Sequence, residues 1–180
     1  MPTVFGWLGS AQSGARELPA WMAQVAAGGS VPAGAQSPDG NAGLFVLGAA
    51  FPSAPPAAGY AADALGRQVA FVGRPFFRAQ SWQARAANIG VSTALLEVCA
   101  ASGEGLLEHL TGSFALALID PAAERALLAI DRMGVAQMAY AHVAGGIAFA
   151  TDLNLLARHP GVDTTITPQA IYRYARNYVS

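Results

Sequence analysis

Apolar residues along this chain fall into runs that change character near the middle. In the first half, Val4 to Leu8 is an apolar run the length of a buried strand, and Glu17 to Ala27 places Leu18, Trp21, Met22 and Val25 on one helix face. Pro19 stands in the first turn of that helix, where its missing N–H is harmless. Gly28 to Gly43, GGSVPAGAQSPDGNAG, predicts a surface loop, and Ala42 to Phe51 predicts a strand. PSAPPAAGYAAD predicts a second irregular stretch, and Arg67 to Val72 the strand after it. Phe77 to Ala87 and Thr93 to Ser102 predict helices, with one further turn over Gly105 to Leu110.

In the second half, GSFALALID is apolar without alternation between Gly112 and Asp120, which predicts a strand covered on both faces. Asp120-Pro121-Ala122-Ala123-Glu124 predicts a turn with proline at its second position, and Arg125 to Ile130 returns as the antiparallel partner. Strands at Met138 to His142 and Gly146 to Thr151, joined through glycines that permit positive φ, complete a predicted four-strand meander. Asp152 to Arg158 predicts a helix stopped by His159-Pro160, and Pro168 to Asn177 an amphipathic helix begun by Thr167-Pro168. There is no internal repeat. Strands apolar on both faces need covering layers, so the expectation is a layered α+β domain.

The 180 residues fit one domain, or one and a small extension, with a core that needs no disulfide. Hydrophobic residues make up 53% and charged residues 12%, which points to burial against a core or a partner. Ten Lys+Arg against eleven Asp+Glu, with no basic run, leave no phosphate-backbone footprint, so nucleic acid is excluded as a partner. No secretory signal and no apolar run of spanning length occur, so no membrane association is expected. The single cysteine, Cys99, falls inside a predicted helix as a buried structural thiol and suits a reducing, cytoplasmic setting.

Candidate chemistry is sparse. His109, His142 and His159 lack ligand spacing and read as surface or capping residues, so no metal site is expected. The stretch Ala27 to Gly34 lacks the lysine of a phosphate loop. Asp131-Arg132 reads as an ion pair fastening a strand end. Arg74, Phe76, Phe77 and Arg78 form a basic-aromatic cluster with two readings: a contact for a partner or peptide, or a helix start with two core phenylalanines.

The stretches LLEHLTGSFALALIDPAAERALLAIDRMGV and GGIAFATDLNLLARHPGV resemble the class II glutamine amidotransferase domain at the N-terminus of asparagine synthetases. That family runs L-x-G-x-F-A, then D, then L-x-x-A-R-D-R-x-G-V, then F-A-S-E and L-L-x-H-P. The matching residues are Leu110, Gly112, Phe114, Ala115, Asp120, Leu127, Asp131, Arg132, Gly134, Val135, Phe149, Ala150, Leu155, Leu156, His159 and Pro160. The resemblance implies a four-layer αββα sandwich of two mainly antiparallel sheets, the fold of the hydrolases with an N-terminal nucleophile.

In that family the nucleophile is a cysteine directly after the initiator methionine, activated by its own α-amino group. Val4, Phe5 and Gly6 fit the family frame, which puts Pro2 at the nucleophile position. The arginine that clamps the glutamine carboxylate corresponds to Ala50 or Phe51. The N-G-E motif that cradles the oxyanion corresponds to Val72-Gly73-Arg74, and the aspartate that holds the substrate ammonium corresponds to Val91. By this resemblance the pocket is degenerate and the domain is not expected to hydrolyse glutamine.

The resemblance further implies a glutaminase-like domain over residues 1–165. Residues 166–180 would then form a hinge helix leading toward an absent ATP-dependent synthetase domain. No S-G-G-x-D-S pyrophosphate motif occurs, so no cofactor is expected in this chain, and ATP and Mg are expected only in the missing synthetase domain. Relatives without the cysteine include β-lactam synthetases and lasso-peptide cyclases. The expected partners are a synthetase domain in cis or in trans, a peptide substrate, or a second copy in a homo-oligomer. A free-standing scaffold or binding module is the alternative, and a residual amidohydrolase using Pro2 or a trimmed Thr3 a further one.

Overall fold

A computed structural model describes residues 2–9, 32–47 and 58–178 of the chain. Among them are strands β1 (Thr3–Gly9), β2 (Ala33–Gln36), β3 (Ala42–Leu47), β4 (Ala58–Ala62), β5 (Gln68–Phe77), β6 (Leu110–Asp120), β7 (Arg125–Ile130), β8 (Ala139–Val143) and β9 (Gly146–Ala150). Helices α1 (Gln80–Ile89), α2 (Val91–Ser102), α3 (Leu153–Ala157) and α4 (Pro168–Tyr178) accompany them, with a 3-10 turn over Gly103–His109. The helix predicted over Glu17 to Ala27 and the last residues of the strand predicted to Phe51 lie outside the described residues.

The strands make two antiparallel sheets, one in the order β2-β3-β1-β9-β8 and the other β4-β5-β6-β7. Because the inner strands β1, β3, β5, β6 and β9 carry apolar side chains on both faces, each sheet needs cover twice, and three cores result. Between the sheets, Val4, Leu44, Val46 and Phe149 meet Ala70, Val72, Ala115, Ala117 and Ile119. On the far side of the second sheet, Phe71, Phe114, Leu116 and Leu118 pack under Leu95 and Val98 of α2. On the far side of the first, Phe5, Trp7 and Phe45 pack with Leu155 and Leu156 of α3, and the Phe5 and Phe45 rings stack at 5.5 Å. This is the expected α+β sandwich, and within GSFALALID the apolar stretch Phe114 to Ile119 is covered on both faces as its pattern predicts.

Four expectations are corrected. β2 forms inside the predicted loop Gly28 to Gly43, where Gly34 lets its backbone approach Phe45 on β3. β4 forms inside PSAPPAAGYAAD, where Gly59 lies opposite Phe71 and the phenyl ring covers it. β5 runs on to Phe77, into the start of the predicted helix, because Gly73 to Phe77 pair with β6. Pro75 is tolerated there since the described part of β4 pairs no further than Val72, so among the described residues β5 has a neighbour on one side only at this point. The meander is divided: β6 and β7 belong to one sheet, while β8 and β9 join the other through the β9–β1 ladder.

Candidate functional site

β1 lies inside the first sheet between β3 and β9, and its first residues are held at both flanks. Thr3 is buried opposite Leu47. The Val4 N–H donates to Thr151 Oγ1 at 3.0 Å, and the Thr151 N–H donates to the Val4 carbonyl at 2.9 Å. Thr151, which the sequence reading did not single out, thus fixes the start of β1 from the end of β9; its one signal was a hydroxyl residue directly after an apolar strand. Pro2 precedes this clamp, half-buried.

Val4 and Val72 share the core between the sheets, and Gly9 at the far end of β1 lies in one cleft with Pro121 and Glu124 at the far end of the second sheet, so the start of β1 sits toward the Gly73 end of β5. Val72 is buried and presents an aliphatic side chain with no hydrogen-bond donor. Gly73 has φ 94°, and a Cβ there would lie 2.9 Å from Phe114 Cα and closer still to the Ser113 carbonyl oxygen. Both backbone conformation and space therefore demand glycine. Val91 starts α2 and packs on the helix-covered core; beside it, Ser92 Oγ donates to the Tyr60 carbonyl at 3.1 Å. Since β4 also pairs Ala58 with Val72, this strand joins Val72 to the helix start. The structure thus gathers Pro2, Val72 and Gly73 at one end of the sandwich and links Val91 to them through β4. Ala50 and Phe51 lie outside the described residues.

The basic-aromatic cluster is divided by strand alternation. Phe77 is a core residue, its ring 6.5 Å from that of Trp82, whereas Arg74, Phe76 and Arg78 are exposed. Only one of the two phenylalanines is therefore in the core. Arg78 is anchored by its N–H to the His109 carbonyl at 2.8 Å and its Nε to the Leu110 carbonyl at 3.1 Å.

The expected Asp131–Arg132 ion pair is replaced by a capped turn. The Asp131 carboxylate accepts the Ala136 N–H at 2.8 Å and the Val135 N–H at 3.1 Å, while Arg132 is exposed. Those N–H groups, Ala136 first, hold the Asp131 carboxyl below the ordinary carboxylate range. Backbone amides win here because a fixed turn presents them at no cost in side-chain ordering, unlike a solvated arginine.

Of the histidines, His159 is buried and its Nδ1 accepts the Gly161 N–H at 3.1 Å, which makes it a turn-capping residue. His142 is exposed edge-on to Tyr140. No group of metal-ligating side chains occurs among the described residues. Cys99 is half-buried on α2, and burial pushes its thiol up. The cleft it lines, about 430 Å³, holds Arg125 and Glu104 paired to each other and Arg67 paired to Asp63. None of the described helices is long and apolar enough to cross a membrane.

Comparison with known proteins bears on this geometry. Residues 85–180 match the family described as Glutamine amidotransferase domain. No curated protein matches the chain. Among solved structures, glutamine phosphoribosylpyrophosphate (PRPP) amidotransferase from B. subtilis, complexed with ADP and GMP, superposes with a TM-score of 0.55 at 12% identity. That likeness covers 86% of this chain and 43% of the other, so the chain spans less than half the length of that amidotransferase. At such identity it speaks for the fold alone, the two-sheet sandwich of N-terminal-nucleophile amidotransferases. Two packed antiparallel sheets, β1 seated at the Gly73 end of β5, and a family match over more than half the residues agree: this chain belongs to the glutamine amidotransferase domain family.

Proposed function

We propose that this chain is a glutaminase-inactive amidotransferase domain. In this reading it belongs to an ATP-dependent enzyme of the asparagine-synthetase type that forms an amide or lactam, acts in the cytoplasm, and keeps the sandwich for docking and for shaping a substrate cleft. The observation that carries this reading is the residues found where the family pattern has its reactive groups: Pro2 in the nucleophile position, Val72 where an oxyanion donor belongs, and Val91 where an ammonium acceptor belongs. Loss of a single oxyanion donor costs roughly a hundredfold or more in rate, and loss of the nucleophile removes the covalent step altogether.

What remains is structural. Gly73 keeps the strand conformation that the β5–β6 ladder requires, and the Asp131 turn keeps the crossing between sheets. An enzyme whose amine nucleophile already sits in the substrate needs no ammonia, so the cavity is free to lose its polar lining. The exposed amphipathic helix α4, with Ile171, Tyr172 and Tyr174 on its surface, supports a hinge toward a synthetase half in cis or in trans that would hold the ATP and Mg.

The test is glutamate formation from glutamine by the purified full chain, followed by enzyme-coupled absorbance. No glutamate above buffer is expected; sustained turnover abolished by blocking the N-terminal amine overturns the inactive assignment. A search of the encoding gene and its neighbours for an S-G-G-x-D-S segment tests the ligase parent, and its absence from all of them overturns that part.

A further inference from the structure

At the Gly73 end of the second sheet a surface cleft of about 590 Å³ opens beside the strand starts. Its floor is the first part of β6, whose Ser113 and Phe114 pair with Arg74 and Gly73. Its walls carry four large apolar side chains in contact with water: Leu107 is 38% exposed, Ile130 47%, Val135 69% and Met133 83%. Scattered exposed apolar residues are ordinary, but four around one depression are the mark of a contact surface.

The turn that presents Met133 and Val135 is already ordered. The Asp131 N–H donates to the Phe114 carbonyl at 2.8 Å, the Gly134 N–H returns to the Asp131 carbonyl at 2.9 Å, and the Asp131 carboxylate holds Val135 and Ala136. A partner therefore meets a surface that loses little freedom on contact.

The charges of the cleft favour an anion, with two arginines in its lining against one aspartate. Arg78 and Arg132 line it, and neither is paired with a carboxylate among the described residues. Asp131, the one acid in the lining, offsets them only in part, and since its oxygens are taken up by the turn amides the cleft keeps a net positive charge and two guanidinium groups for a ligand. Helix α4 of another copy fits poorly, since PQAIYRYARNY brings Arg173 and Arg176 and no acid.

We propose that this cleft docks a protein segment presenting an aliphatic or aromatic anchor beside a carboxylate, the anchor entering among Ile130, Met133 and Val135 and the carboxylate meeting Arg132 or Arg78. This deepens the docking role above and rests on it only for the partner being a protein.

The test is a titration of the ¹⁵N-labelled full chain, followed by amide chemical shifts, with the capped peptide Asp-Leu-Phe-Glu-Leu-Asp and with the same peptide carrying lysine for each acid. Saturable shifts confined to the Leu107 and Ile130–Val135 region are expected. The lysine peptide should bind at least about tenfold more weakly, because like charges then meet at the rim. Arg132→Glu should reverse that preference and Met133→Glu should abolish binding; both positions are exposed, so the fold tolerates the changes. Equal binding of the two peptides, or no saturable shift in this region, overturns the proposal. So does a shift of the same residues on diluting the protein alone, which would make a second copy the occupant. Glutamate formation leaves the titration untouched, so the two readings fail separately.

Discussion

Strand β4 is held to β5 by a ring lying on a glycine, and that contact gives a quantitative prediction. Gly59 faces Phe71 across the ladder, and a Cβ added at Gly59 would lie 2.6 Å from Phe71 Cε1 and 3.1 Å from Cζ. Ordinary carbon contacts are about 3.5–4.0 Å, so the methyl group intrudes by close to 1 Å. Phe71 is 1% exposed and cannot swing aside, so β4 must shift. The Gly59→Ala cost is therefore ~1–3 kcal/mol, the range of overpacking.

Phe71→Leu removes the ring edge at a cost of ~1–2 kcal/mol, short of the ~3–5 kcal/mol of truncation to alanine. In that background Gly59→Ala should be neutral, or stabilising by ~0.5–1 kcal/mol, since alanine suits a strand better than glycine. The two changes should thus couple by ~2 kcal/mol, well beyond the ~0.5 kcal/mol scatter of independent sites. Urea unfolding of the four proteins, followed by far-ultraviolet circular dichroism, measures the coupling. Equal costs of Gly59→Ala in both backgrounds would refute the ring-on-glycine contact and with it the placement of β4.

Three further outcomes are expected. The Asp131 carboxyl is held below its unfolded value, so its stabilisation is in place above about pH 4 and fades as pH falls through the folded value; Asp131→Asn should lower the urea midpoint at neutral pH and flatten its acid limb, and parallel acid limbs would count against the capped turn. Gly73→Ala meets both strain and backbone atoms, whereas Gly66→Ala at φ 80° meets open space; the first should lower the melting temperature more, by ~1–3 kcal/mol of added cost, and equal melting temperatures would contradict it. Pro2→Cys should form no measurable glutamate from glutamine, because Val72 and Val91 still offer no polar group; recovered turnover would show that the nucleophile alone was missing.

The sequence by itself determined the layered α+β class, because a run such as Phe114 to Ile119, apolar at every position, must be covered on both faces wherever it lies. It determined the β6–β7 hairpin and the start of α4 for the same local reason, since Pro121 and Thr167-Pro168 act on their immediate neighbours. It also determined which chemistry Pro2, Val72 and Val91 cannot supply, because a side chain lacks a donor or a nucleophile in any fold. Tertiary structure alone decided the rest. Gly34 and Gly59 belong to strands only because Phe45 and Phe71 lie across from them, contacts invisible to a pattern that reads glycine as a loop. Asp131 meets amides rather than Arg132, and β8 and β9 leave the sheet of β6 and β7, because the turn is closed by Phe114 and the ladder by β1, residues 17 and more than 130 positions away in the chain. Such pairings are long-range, and no local preference encodes them.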